Sequence, residues 1–222
     1  MTVLHLADEG EAADLAAFLS RLLHYDRAAA VRLQASGTAL AVFGRPPSFE
    51  VLAIRAVRLA KPYENGLDVT LDVTLSAGEL LESLDELAAT AGVPAAVTGP
   101  PWAGVLPPRG GWTPESGLPG PQALRGMIAA GVAEFRSRTQ ELTAETRTRT
   151  ELDRIGREIW SRTVGETSLP VRAVHAAQSL GFLRPGDESG LFSSGAWLRL
   201  RTPYGSIAVR RAGLGALGVS VR

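Results

Sequence analysis

Gly195–Arg211, GAWLRLRTPYGSIAVRR, reads as a β-hairpin, and the rest of the chain can be placed around it. Pro203 presets a φ of about −65° for the turn and Gly205 closes it. The spacing therefore predicts that Trp197–Arg201 and Ser206–Arg210 pair antiparallel across a two-residue loop. In that register Leu200 faces Ile207 and Leu198 faces Val209 on one side, while Trp197, Arg199, Arg201, Ser206 and Arg210 share the other. One face is core; the other is basic and aromatic.

Upstream of the hairpin the pattern is helical. Leu124, Met127, Ile128, Val132 and Phe135 recur on one face, a Thr-rich stretch at 143–150 interrupts them, and Thr150 with Asp153 spells a capping box for a second helix carrying Leu152, Ile155, Ile159 and Trp160. Ser168-Leu169-Pro170 opens a third, with Val171, Val174, Ala177 and Leu180 inward and Gly181 as its stop. Residues 182–194 read as a loop. Three helices followed by a ribbon is the order of a winged-helix module. On that reading Arg172, His175 and Gln178 face outward from a recognition helix and Arg199, Arg201 and Arg210 meet phosphates.

The N-terminal part reads as a sheet with helices. Asp8 and Glu11 have capping-box spacing before a stripe of Leu15, Phe18, Leu19, Leu22 and Leu23 that ends at Tyr25-Asp26. Residues 29–34 and 38–43 flank Ser36-Gly37 as a hairpin, and residues 49–59 form a strand long enough to be central. After a turn at Tyr63-Glu64-Asn65-Gly66, residues 67–75 alternate strictly, with Asp68 and Asp72 on the polar face and Arg55 and Arg58 of the preceding strand as their expected salt partners. Ser76 and Glu79 then open a helix with Leu80, Leu81, Leu84, Leu87 and Ala88 inward. The fold class expected is α+β: an N-terminal antiparallel sheet with two helices, and a C-terminal helical unit ending in a β-hairpin.

Between these parts the composition changes. Residues 92–121 are dense in proline and glycine, yet Trp102 and Trp112 point to a strap pinned on a surface rather than a disordered linker; Pro107-Pro108-Arg109 is its candidate polyproline segment. The division expected is an acidic unit at 1–90, a strap at 91–121 and a basic unit at 122–222. Net charge is zero overall, but residues 1–120 carry 8 Arg/Lys against 14 Asp/Glu, net −6, and residues 121–222 carry 15 Arg against 9, net +6. Opposite halves can neutralise one another by docking or offer a basic surface to an acidic partner.

Catalysis finds little support. With no cysteine there is no disulfide, thiolate zinc site or cysteine nucleophile. His5, His24 and His175 lie far apart without metal-ligand spacing, and neither a Gly-x-Ser-x-Gly elbow nor a Walker loop occurs. Gly213–Gly218 has the glycine spacing of a dinucleotide fold, but four residues remain after it and no helix can follow. No cofactor or metal is expected. The start, MTVLHLADEG, lacks a basic region followed by an apolar run, and no stretch is a membrane span, so a cytoplasmic protein without membrane contact is expected.

The reading that follows is a non-catalytic protein-interaction or self-associating module using the Trp197, Arg199, Arg201 and Arg210 face. The ribbon's free edge would invite strand pairing, and acids at Asp68, Asp72, Glu82, Asp85 or Glu86, from this chain or a second copy, would meet its arginines. The alternative is nucleic-acid binding through that ribbon and the 168–180 helix; an enzyme of unrecognised type comes third.

Overall fold

Val3–His5 (β1) leads into Glu9–Tyr25 (α1), which Asp8 caps: its Oδ1 accepts from the Glu11 amide at 2.8 Å. The computed structural model describes residues 2–47, 49–60 and 71–211. The turn expected at Tyr63–Gly66, the first half of the strand expected at 67–75 with Asp68, and Gly213–Gly218 lie outside the described residues.

Three strands follow α1 as an antiparallel meander: Ala30–Ser36 (β2), Ala39–Gly44 (β3) and Leu52–Arg58 (β4). Gly37 makes the first turn with a φ of +58°, a left-handed conformation that a side chain would strain. Asp72–Ser76 (β5) pairs with β2, so its polar face meets Arg32 and Gln34 instead of β4. Chain order had pointed to Arg55 and Arg58; spatial order gives Asp72 to Arg32, at 2.8 Å.

Ser76 caps Ala77–Glu82 (α2), as its spacing to Glu79 predicts, but the helix lasts only six residues. Leu84–Asp85 (β6) and Thr90–Gly92 (β7) instead join β1 in a small sheet, which leaves Leu87 84% exposed rather than inward. Local periodicity favours continued helix there. The pairing of β7 with β1 wins, and the Ser83 hydroxyl bridges the carbonyls of Leu80 and Gly92 at 2.8 and 2.7 Å to stop α2.

After the strap come Pro121–Gln140 (α3), Arg149–Trp160 (α4) and Val171–Ser179 (α5). The cap of α4 is Thr148, not Thr150. Gly181, with a φ of +75°, follows the end of α5. Two strands within stretches read as loop and strap are further corrections: Gly190–Ser194 (β9) and Thr113–Glu115 (β8). Trp197–Thr202 (β10) and Gly205–Arg210 (β11) form the hairpin in the expected register, Leu200 opposite Ile207 and Leu198 opposite Val209.

The main sheet runs β5-β2-β3-β4-β11-β10-β9-β8. It has a local two-fold order: α1 followed by β2-β3-β4, and α5 followed by β9-β10-β11, joined where β4 and β11 pair antiparallel with Ile207 opposite Ala53. The sheet is therefore continuous through the acidic and basic parts of the chain. Helices α1 and α5 cover one face over Leu33, Leu40, Val42, Val57, Leu75, Leu198, Leu200, Ile207 and Val209, α3 packs on α5 and α4, and Phe18 of α1 stacks on Phe182 at 5.5 Å. The fold is α+β with antiparallel sheets.

The hairpin is not a wing. A wing projects from its domain, whereas both outer edges of this ribbon are paired, β11 to β4 and β10 to β9, so it offers no free edge to a second subunit. The sheet ends instead at β5 and β8.

Candidate functional site

The face opposite the helices carries Phe43, Leu52, Ile54 and Ala208, with Ala41 and Trp197 beside them. Left bare it would be an apolar sheet face in water. The Pro-rich segment covers it as a strap. It starts at the β5 edge, where the Val97 amide donates to Thr74 O at 2.9 Å, and ends as β8 at the far edge on β9. In between, Pro101–Gly104 forms one 3-10 turn that seats Trp102, with Leu106, on the apolar patch, and the Arg32 guanidinium donates to the Ala103 carbonyl. The Trp112 indole N–H donates to Pro108 O at 3.0 Å and Ser194 Oγ to Gly110 O at 3.3 Å, which fixes the second half.

The strap leaves a groove on one side and a trough on the other. The groove, about 450 Å³, has a floor of Leu52 and Ala208 between Trp102 and Trp197, with Arg45, Arg172 and Arg210 and one carboxylate, Glu50, at its rim. Arg210 lies 5.8 Å from the Trp197 ring centroid; Arg172 is 3.8 Å from Glu50. Arg45 is exposed and has no carboxylate within 4 Å among the described residues. The trough, about 730 Å³, is lined by Arg109, Trp112, Arg199, Arg201 and Ser206, with Glu188 at its edge.

The seven residues singled out in the sequence are thus divided. Trp197, Arg210 and Arg172 come together in the groove. Arg199 and Arg201 belong to the trough, where Arg199 is half-buried, donates to Ser206 Oγ at 2.9 Å and lies 5.6 Å from the Trp112 ring centroid. Gln178 is exposed on α5, away from both. His175 is half-buried rather than turned outward: its ring is 4.4 Å from Trp160 and 5.2 Å from Phe49, and this burial pulls its pKa below the ordinary histidine value. A helix with its histidine packed inward and Arg172 beside Glu50 presents no recognition face, which removes the winged-helix placement.

Two of the acids expected to meet the ribbon have other partners, and Asp68 lies outside the described residues. Asp72 is held by Arg32, which lowers its carboxyl pKa, and the exposed Asp85 accepts from the Ala88 amide at 3.0 Å. Arg55 and Arg58 pair with α1, through Glu11, Asp14 and Asp8. Opposite charges do meet between the acidic and basic parts of the chain at Asp14–Arg184, 2.9 Å, and at Glu50–Arg172.

Residues 1–104 match a family described as a domain of unknown function (DUF8010), and residues 107–214 match a second, also a domain of unknown function (DUF8185). No curated protein matches the sequence. Among solved structures the chain is similar to a DNA polymerase sliding clamp from Pseudomonas aeruginosa, with a TM-score of 0.51 and 13% identity over 97% of this chain and 66% of that one. The same clamp with a ligand gives 0.49, again at 13% identity, over 96% and 66%. The likeness is one of fold. This chain spans 66% of the length of the clamp chain, and at 13% identity residue roles do not carry over.

Four groove and trough residues escaped the sequence reading as binding residues: Arg45, Glu50, Trp102 and Trp112. The two tryptophans did leave a signal, as large aromatics in a segment otherwise too rich in proline and glycine to fold. Arg45 and Glu50 left none; only the meeting of β4 with β11 brings them to Trp197.

Proposed function

We propose that this chain is a non-catalytic protein-binding module of the cytoplasm whose docking site is the Trp102/Trp197 groove. The observation that carries the reading is the pairing of two indoles over an apolar floor with a rim of three arginines and one carboxylate. Aromatic anchors and arginines are the side chains that concentrate binding energy at protein interfaces. The occupant such a groove fits is an acidic segment of a partner protein with one aromatic or large aliphatic anchor: the anchor enters between the indoles and the flanking carboxylates meet Arg45 and Arg210.

Selection from a random peptide library displayed on phage, run on wild type and on Arg45→Glu/Arg210→Glu, tests this. Both arginines are exposed, so the variant keeps its fold. The expected consensus is an apolar anchor flanked by Asp or Glu, and the synthetic consensus peptide binds the charge-reversed protein and Trp102→Ala at least about tenfold more weakly. A consensus without acids, or equal binding to all three proteins, contradicts the reading. Sedimentation of the chain alone over a concentration series separates a partner from a second copy.

The fold likeness to a DNA polymerase sliding clamp, together with exposed Arg201 and Arg210, favours a second reading in which the chain meets nucleic acid. Its mark is an affinity whose logarithm falls with log salt by about 0.9 per phosphate neutralised. The first reading stands ahead because Arg199 is half-buried under the strap rather than presented on a convex surface.

A further inference from the structure

Two arginines on the main sheet, Arg55 buried and Arg199 half-buried, are treated differently. Arg55, on the helix side of β4, has Glu11 at 2.9 Å, Asp14 at 3.3 Å and the Tyr204 carbonyl at 2.7 Å. Arg199, on the strap side of β10, has no carboxylate within 4 Å among the described residues. It donates one bond, from Nη2 to Ser206 Oγ, and its Nε is buried without a partner. Burial, and after it the like charge of Arg201 along the strand, lowers its pKa. A guanidinium drawn out of water beside a like charge is costly unless an anion joins it. In place of a carboxylate the protein leaves open space there, shared with Arg109.

We infer that this trough is an oxyanion site for the phosphate of a small phosphomonoester, with a planar group of the same ligand lying against Trp112. Three guanidinium groups offset by Glu188 suit a group of charge about −1.5 to −2 with three acceptor oxygens. Guanidinium forks bind phosphate oxygens in pairs, and among the described residues Arg199 gives only one terminal nitrogen, Nη2, to a protein acceptor. Trp112, held by its bond to Pro108, gives a ring fixed in place, and the hydroxyl of Ser206 adds a further polar group. The size, about 730 Å³, falls in the range of small-molecule sites, about 300–1,000 Å³. The trough and the groove have no lining residue in common, so this inference holds or fails apart from the proposed docking of a protein segment.

Isothermal titration of the full chain with phenyl phosphate, AMP, inorganic phosphate, adenosine and a single-stranded oligonucleotide lacking terminal phosphates tests it. Expected are saturable binding of phenyl phosphate and AMP, at least about tenfold tighter than inorganic phosphate, and none of adenosine. Arg201→Gln, at an exposed position that does not risk the fold, should weaken both esters by about tenfold or more, as should Arg199→Gln, while Arg157→Gln, exposed on α4 and outside the trough's lining, leaves them unchanged. Absence of binding by either ester, or binding indifferent to Arg201→Gln, overturns the site. Tighter binding of the oligonucleotide than of either monoester also overturns it, in favour of a phosphodiester strand.

Discussion

Arg55 reaches from β4 to Glu11 and Asp14 on α1 while its other terminal nitrogen donates to the Tyr204 carbonyl in the β10–β11 turn. Arg184 completes the set, pairing with Asp14 at 2.9 Å with its guanidinium 3.4 Å from the Tyr204 ring centroid. Removing one member of a buried pair leaves the other charge unmatched. With Arg55 and Glu11 side chains only 6% and 11% exposed, Arg55→Ala is predicted to lower stability by about 3 kcal/mol in urea unfolding. Arg58→Ala, at a side chain 72% exposed, should change it by less than about 1 kcal/mol. His175 gives a pH dependence. Burial against Trp160 and Phe49 holds its folded pKa below the unfolded value of about 6.5. The unfolded chain therefore takes up the proton first as pH falls, so this stability is present above about 6.5 and is lost towards the lower folded value. Thermal melts from pH 8 to 5 should show the loss in wild type and less of it in His175→Gln. At this scale the sequence was least informative. Residue type marked Arg199 and Arg201 as interesting, but which arginine would receive a carboxylate depended on the neighbours of β2, β4 and β10, contacts 40 or more positions apart in Arg32–Asp72 and Arg55–Glu11.

Elements were legible wherever local chemistry decided them. Asp8, Ser76 and the Pro203–Gly205 turn each acted as their spacing predicted, because a cap or a two-residue loop is settled within a few residues. The failures share a cause in long-range pairing. The 84–92 stretch carries leucines at helical intervals, yet Leu84–Asp85 turns back onto Thr90–Gly92 because β7 must pair with β1. β9 is a five-residue strand of Gly-Leu-Phe-Ser-Ser with weak alternation, and β8 contains Pro114, which a sheet tolerates at an edge such as this one. The strap is legible as a covering segment from Trp102 and Trp112. That it divides the hairpin's basic face, sending Trp197 and Arg210 to one side and Arg199 and Arg201 to the other, follows only from where it crosses.

At the scale of the molecule, the pairing of β4 with β11 makes one sheet from two helix-and-meander units, and Phe18 on Phe182 and Asp14 with Arg184 tie the same halves on the helix side. Chemical unfolding is therefore predicted to be a single transition, with tryptophan fluorescence and far-ultraviolet circular dichroism giving coincident midpoints. Separated midpoints would show that the halves unfold independently. The central claim is the groove, and the chain's four tryptophans, Trp102, Trp112, Trp160 and Trp197, report on it from different places. The most direct measurement is the nitrogen–proton NMR spectrum of the four indoles during titration with the peptide selected on wild type. The account predicts saturable shifts of Trp102 and Trp197 with Trp160, packed on His175, unmoved. Peptide binding that leaves Trp102 and Trp197 where they were would contradict it.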